Sequence, residues 1–117
     1  MHNFKELNVW KKARYFVKEV YTITAKFPCE EKYGLNSQIQ RAVISIPSNI
    51  AEGSGRTTDK EFIRFLDIAA ASSYELETQL ILANDLGFIP KNELKLLIEQ
   101  LNEIQKMLHG LKRKLAD

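Results

Sequence analysis

The sequence predicts an all-α protein, an up-down-up-down antiparallel four-helix bundle whose second helix is kinked at Pro47. Apolar residues recur every three or four positions through four long segments, which is the period of a helix with one buried face. The connections between these segments are short, and short links favour antiparallel neighbours. No run alternates apolar and polar residues in the manner of a half-buried strand.

Length and composition indicate one folded domain over residues 1–117. The chain has 44% hydrophobic and 27% charged residues, as soluble globular proteins do. Cys29 is the single cysteine, so the chain cannot form an internal disulfide, and a reducing cytoplasm is the expected location. The N-terminus lacks the apolar run of a signal peptide, and no segment reaches the ~18 uncharged apolar residues of a membrane span. We therefore expect no membrane partner.

The first helix is predicted over residues 7–26. Ala13, Val17 and Val20 recur at helical spacing, with lysines and arginines mostly on the other side. Pro28 should end the helix, because the residue before a proline is pushed out of the α-helical region.

The second helix is predicted over residues 31–52, with Ile39 and Ile46 on its apolar face. Pro47 lies inside this helix, where it removes one backbone hydrogen bond and should bend the axis. Residues 53–56, with the sequence GSGR, are interpreted as the turn that follows.

The third and fourth helices have clear boundary signals. Thr58 and Glu61 fit a capping box at the start of the third helix, and Gly87 can supply a left-handed stop after it. Pro90 suits the first turn of the fourth helix. The third helix is apolar on more than one side, which predicts a subunit interface. The fourth helix carries a coiled-coil-like seam made of Leu94, Leu97, Leu101, Ile104, Leu108, Leu111 and Leu115.

Motifs of catalytic and metal sites are missing from the sequence. His2 and His109 are the only histidines, and neither belongs to a Glu-x-x-His or His-Glu-x-x-His pattern. Gly53-Ser54-Gly55 lacks the preceding strand of a nucleophile elbow, and a helix–helix turn is the favoured interpretation. We expect no enzymatic activity, no cofactor and no metal.

Both ends of the chain are rich in lysine and arginine. An antiparallel bundle brings the start of the first helix beside the end of the fourth, so the two charge runs should form one patch. Such a patch suits the phosphate backbone of RNA or DNA, and Trp10, Tyr15 and Tyr21 would add base stacking if exposed. A merely solvated face is the alternative. The candidate nucleic-acid-binding residues are Lys5, Lys11, Lys12, Arg14, Lys106, Lys112, Arg113 and Lys114.

A polar stripe runs along the second helix at helical spacing. Buried polar groups need partners, so the stripe should form a network with the third helix or with a neighbouring subunit. We predict an ion pair between Arg41 and Glu75 at or near that interface. The candidate network residues are Arg41, Ser45, Ser48, Asn49, Glu52, Arg64 and Glu75.

A family resemblance extends over essentially the whole chain. It rests on the segments LNVWKKAR, EKYGLNSQIQRAV, SIPSNIAEGSGR, KEFIRFLDIAAASSYELETQL and LNEIQKMLHGLKRKL, of which SIPSNIAEG is the most specific. Together these segments resemble the four-helix-bundle proteins of 23S rRNA intervening sequences. That family is encoded in insertions within rRNA genes of some bacteria, and as free-standing genes in others. It is related to the accessory protein of diversity-generating retroelements, a basic bundle that binds nucleic acid and its reverse transcriptase.

The resemblance implies a homopentamer, a barrel of five bundles. Together with the basic patch, it favours a non-enzymatic accessory protein that binds RNA or DNA. The alternative is a protein-interaction scaffold with no nucleic-acid role, in which repeated surfaces of the ring bind a protein partner.

Overall fold

Four long helices make up the fold in the computed structural model, which describes residues 2–31 and 34–117. They are α1 (Asn8–Thr24), α2 (Leu35–Ser54), α3 (Asp59–Asp85) and α4 (Lys91–Ala116). Short 3-10 turns over Phe4–Glu6 and Cys29–Glu31 precede α1 and α2. The described ranges contain no strand, and the all-α fold predicted from the apolar periodicity is confirmed.

The helices pack side by side, and neighbours in sequence are neighbours in space. Lys112, near the end of α4, contacts Asp67 near the start of α3. Gln105, two turns earlier in α4, contacts Glu77, which lies further along α3. These two helices therefore run in opposite directions, which is compatible with the predicted up-down-up-down topology. Both α1 and α3 pack against α2 and α4, and they make no backbone contact with each other in the described residues. They occupy opposite corners of the bundle.

One contiguous apolar core fills the space between the four helices. In α1 the buried residues follow steps of four and three, which places one helix face against the core. The largest fully buried side chains are Phe16, Phe62, Ile39, Ile46, Ile50, Leu66, Leu76, Leu80, Ile89, Leu101, Ile104 and Leu108. In the part of the chain that the structure describes, no helix is both long enough and apolar enough to span a bilayer.

Both ends of α3 follow the local signals in the sequence. The Thr58 hydroxyl accepts a hydrogen bond from the backbone N–H of Glu61 at 3.1 Å, so Thr58 is the N-cap. At the other end Gly87 has a φ of +82°, a conformation that favours glycine. The N–H of Phe88 donates to the carbonyl of Ala83 at 2.8 Å, which completes the hydrogen-bond pattern of a Schellman motif.

The observed start of α2 differs from the predicted one. The helix begins at Leu35 rather than at residue 31, and Glu31 lies in the preceding 3-10 turn. The Glu31 carboxylate accepts a hydrogen bond from the Leu35 N–H at 3.2 Å. Glu31 therefore caps α2 from outside the helix, because the first N–H groups of a helix have no partner within it.

The end of α2 also differs from the prediction. The turn predicted at residues 53–56 is wrong for Gly53 and Ser54, which belong to the helix. A Cβ atom at position 53 would lie 2.6 Å from the Cβ of Phe65, so the close approach of α2 and α3 leaves room only for glycine. The helix passes through Pro47 without interruption, and the bend at Pro47 stays a prediction.

Candidate nucleic-acid interface

One end of the bundle brings the start of α1 beside the end of α4. Residues from both helices line a shared groove there, namely Leu7, Asn8, Val9, Met107, Gly110 and Leu111. The α2–α3 corner lies at the same end, because the His2 N–H donates to the carbonyl of Ser54 at 2.9 Å. The 3-10 turn that carries Lys5 lies between His2 and α1. This end of the molecule therefore carries cations from both ends of the sequence.

The cations of α1 fall on two sides of the helix. Lys11 and Arg14 are exposed and line a shallow concavity together with Tyr15 and Lys18. Lys12 is half-buried. We call the exposed set Lys11, Arg14, Tyr15 and Lys18 the α1 strip.

Aromatic side chains accompany the cations of α1. Tyr15 is 63% exposed and Tyr21 is 37% exposed, whereas Trp10 is half-buried against the core. The Arg14 guanidinium lies 5.6 Å from the centre of the Trp10 ring, a cation–π contact that orients it. Of the three aromatic residues named from the sequence, Tyr15 is the most accessible.

The cations of α4 point in different directions. Lys106 and Arg113 are exposed and seven residues apart, which is two helical turns, so they share one face. Lys114 is exposed and lies seven residues after Met107, on the side of α4 that borders the start of α1.

Lys112 departs from the predicted patch. Its ammonium group contacts the Asp67 carboxylate at 2.6 Å, and its side chain is only 22% exposed. Lys112 thus lies in the seam between α3 and α4, and Asp67 neutralises its charge. Helical spacing explains the difference, because Lys112 follows Gln105 by seven residues and Gln105 faces Glu77 of α3.

The polar stripe of α2 divides between two environments. The Ser45 hydroxyl lies 2.8 Å from that of Ser72 in α3, and the Asn49 amide donates to both the carbonyl and the hydroxyl of Ser45. These three residues form a network between α2 and α3. The remaining candidates, Arg41, Ser48, Glu52, Arg64 and Glu75, are exposed.

The predicted Arg41–Glu75 ion pair is not formed within one chain. Neither residue takes part in any of the ion pairs found among residues 2–31 and 34–117. Asn49 bonds to Ser45, a residue one turn earlier in its own helix. Local side-chain to backbone bonds of this kind compete with partners on other helices.

Apolar residues remain exposed on α3 and in the groove between α3 and α4. Ile68 and Leu82 on α3 are 41% and 46% exposed. A second groove runs between the two helices, where Ile81, Leu94 and Ile98 form an almost entirely apolar surface. Of these two helices, α3 is diagonally opposite α1, whereas α4 packs against α1.

Side chains that could take part in catalysis or metal binding are dispersed. The described ranges contain no cluster of three His, Cys, Asp or Glu residues that could hold a metal. The His2 ring contacts Asp59 at 3.2 Å, the His109 ring contacts the Tyr74 hydroxyl at 3.0 Å, and Cys29 is exposed.

Lys18 is a cation that the sequence-based candidate set omits. It lies seven residues after Lys11 and four after Arg14, on the same side of α1. The spacing carries the signal, whereas the prediction is restricted to cations near the start of the first helix and the end of the fourth.

Comparison with known proteins relates the chain to a protein family. The family profile described as 23S rRNA-intervening sequence protein matches residues 5–110. A crystal structure from the S23 ribosomal protein family of Bacteroides thetaiotaomicron, of unknown function, superposes with a TM-score of 0.83 at 25% identity. The match covers 90% of this chain and 95% of that one. No curated protein is similar in sequence. With a profile match over most of its length and the same fold, the chain belongs to the 23S rRNA-intervening sequence protein family.

Proposed function

We propose that this chain is a non-enzymatic accessory protein of the cytoplasm that binds RNA or DNA through its basic end and assembles into a homopentamer. One observation carries the nucleic-acid proposal. Seven cations of the basic end take part in none of the ion pairs found among the described residues, namely Lys5, Lys11, Lys12, Arg14, Lys106, Arg113 and Lys114. Phosphate groups can bind such cations by displacing counterions alone, without breaking an ion pair within the protein.

A salt titration of paired variants tests the nucleic-acid proposal. Arg113→Gln/Lys114→Gln removes two exposed cations from the basic end of α4, and Lys91→Gln/Lys95→Gln removes two exposed cations from its opposite end. Binding to a labelled duplex should weaken steeply with salt. The first variant should reduce the slope of log K against log[salt] by up to about 1.8, since each phosphate contact contributes about 0.9.

The control variant separates a local site from net charge. Lys91→Gln/Lys95→Gln should keep the slope of the unsubstituted protein, although it carries the same net charge as the other variant. Equal losses in both variants would contradict a site at the basic end. Absence of salt-dependent binding to either duplex or single-stranded probes would contradict the function itself.

Assembly is supported by the exposed apolar residues of α3. Ile68 and Leu82 lie on its outer side, where a second copy can cover them. Sedimentation at micromolar concentration should give a pentamer, and Leu82→Glu should dissociate it. Tyr15→Glu places the same charge on the diagonal helix and should leave the assembly intact. A monomer in the unsubstituted protein would refute the proposal.

A protein-interaction scaffold is the second candidate. It is favoured by the apolar groove of Ile81, Leu94 and Ile98, which suits an apolar segment of a partner. Salt-insensitive capture of a specific protein, abolished by Ile98→Glu and free of nucleic acid, would support this candidate over the first.

A further inference from the structure

The α1 strip combines cations with an unpartnered aromatic ring. Lys11, Arg14 and Lys18 surround Tyr15, and the concavity they line contains no acidic residue. In the described part of the chain, none of the three cations is in an ion pair and the Tyr15 hydroxyl makes no hydrogen bond. With 63% of its surface exposed, the Tyr15 ring is not needed for the core.

We infer that the α1 strip binds single-stranded nucleic acid, with its cations on the phosphates and the Tyr15 ring stacked on an unpaired base. This inference rests on the proposed function and specifies its ligand. Surfaces that bind single strands combine a positively charged track with aromatic rings, because every base has a face on which a ring can stack. In a duplex the base faces are covered by neighbouring pairs, and only the base edges are accessible in the grooves.

The geometry of α1 places the cations and the Tyr15 ring where these contacts can form together. Lys11 and Lys18 are two helical turns apart, about 10 Å along the axis, and Tyr15 projects between them. A strand lying along the helix would therefore contact a cation on either side of the stacked base. Arg14 is held by the Trp10 ring and also borders the groove between α1 and α2, where Ile44 and Pro47 offer an apolar surface to a neighbouring base.

Fluorescence anisotropy with labelled probes tests the inference. The probes are oligo(U), oligo(dT) and a DNA duplex of the same length. The unsubstituted protein should bind the single strands more tightly than the duplex. Tyr15→Ala should weaken single-strand binding by roughly 5- to 150-fold, which is the fold-change equivalent to the about 1–3 kcal/mol that stacking contributes per base. It should leave duplex binding unchanged. Tyr15→Phe keeps the ring and should restore the affinity for both single strands.

Two further variants separate stacking from charge and from general loss of structure. Lys18→Gln should reduce the salt slope on single strands by about 0.7, the contribution of one phosphate contact. Tyr74→Ala removes a tyrosine of α3 that is 49% exposed, on the other side of the bundle, and should bind all probes as before. Circular dichroism of each variant checks that the fold is kept.

The possible outcomes distinguish the inference from the function on which it rests. The inference would be overturned, and the function would stand, if three results were found together. The protein binds single strand and duplex with equal affinity, Tyr15→Ala binds both as tightly as the unsubstituted protein, and Lys18→Gln binds them more weakly. A loss in Tyr15→Phe as large as in Tyr15→Ala would assign the effect to the hydroxyl and overturn stacking. Equal binding of oligo(U) and oligo(dT) supports stacking without a contact to the 2′-hydroxyl. Tighter binding of oligo(U) supports stacking together with a contact between the strip and the 2′-hydroxyl. Failure of every probe to bind would overturn both proposals.

Discussion

Replacing Gly53 by alanine should destabilise the bundle, although alanine is the better helix former. A Cβ atom at this position would lie 2.6 Å from the Phe65 Cβ and 2.9 Å from Cδ1 of the Phe62 ring. Carbon atoms in favourable contact are about 3.5–4.0 Å apart, so α2 and α3 would have to separate by about 1 Å. The contact with Phe65 cannot be relieved by movement of a side-chain end, because its Cβ is fixed to the backbone.

The magnitude follows from two opposing contributions. Overpacking of a core typically costs about 1–3 kcal/mol. Alanine at a helical position recovers at most about 1 kcal/mol relative to glycine. Because the 2.6 Å contact involves an atom fixed to the backbone, the overpacking cost should lie in the upper part of its range, at about 2–3 kcal/mol. The net loss for Gly53→Ala is then about 1–2 kcal/mol, which corresponds to a fall in Tm of about 4–8 °C for a chain of this size.

Gly110→Ala is the matched control. Gly110 lies inside α4, and a Cβ atom there would meet nothing within 4 Å. The same substitution should therefore raise the Tm by about 2–4 °C through helix propensity alone. Thermal unfolding followed by far-UV circular dichroism measures both variants, at one protein concentration because assembly makes the Tm concentration-dependent. If Gly53→Ala unfolds at the same temperature as the unsubstituted protein or above it, the close approach of α2 and α3 is refuted.

Three smaller perturbations test other contacts by the same assay. Thr58→Ala removes the N-cap of α3 and should cost about 1 kcal/mol, whereas Thr57→Ala, one residue earlier and exposed, should cost almost nothing. Equal effects would contradict the cap. Gly87→Ala forces a side chain into a left-handed conformation and should cost about 1 kcal/mol; an unchanged Tm would argue against that conformation. A double-mutant cycle between Asp67 and Lys112 should give a coupling of about 0.5 kcal/mol that decreases with salt, and a coupling of zero at low salt would exclude their contact.

The features predicted correctly from the sequence are those that depend on local chemistry. Each of these features involves residues that are close in sequence, so the sequence pattern alone indicates it. They are the apolar period of each helix, the capping hydroxyl of Thr58 and the left-handed backbone conformation of Gly87. The end of α2 was misplaced because glycine is also a turn residue. Only the position of Phe65 on another helix shows that Gly53 is small for reasons of packing.

The candidate site was less predictable for a related reason. Which end of the bundle is basic follows from helix order and charge composition. Whether a given cation is available depends on its rotation about the helix axis and on the helix it faces. Lys112 looked equivalent to its neighbours Arg113 and Lys114, but a step of 100° between residues turns it toward Asp67. Lys18 is separated from Lys11 by six residues in the sequence. The two side chains lie on the same side of the molecule only once the helix is formed.

The α1 strip has a consequence for a ring of copies. A closed ring of identical subunits would repeat the strip once for each subunit, because rotation places every copy in the same environment. Once a long strand is bound at one strip, its binding to the next strip is intramolecular. The effective concentration of the strand at the second strip is set by the spacing of the strips. Modest affinity at each strip would then become tight binding that increases with strand length. Such a ring would select ligands by the length of their unpaired segments.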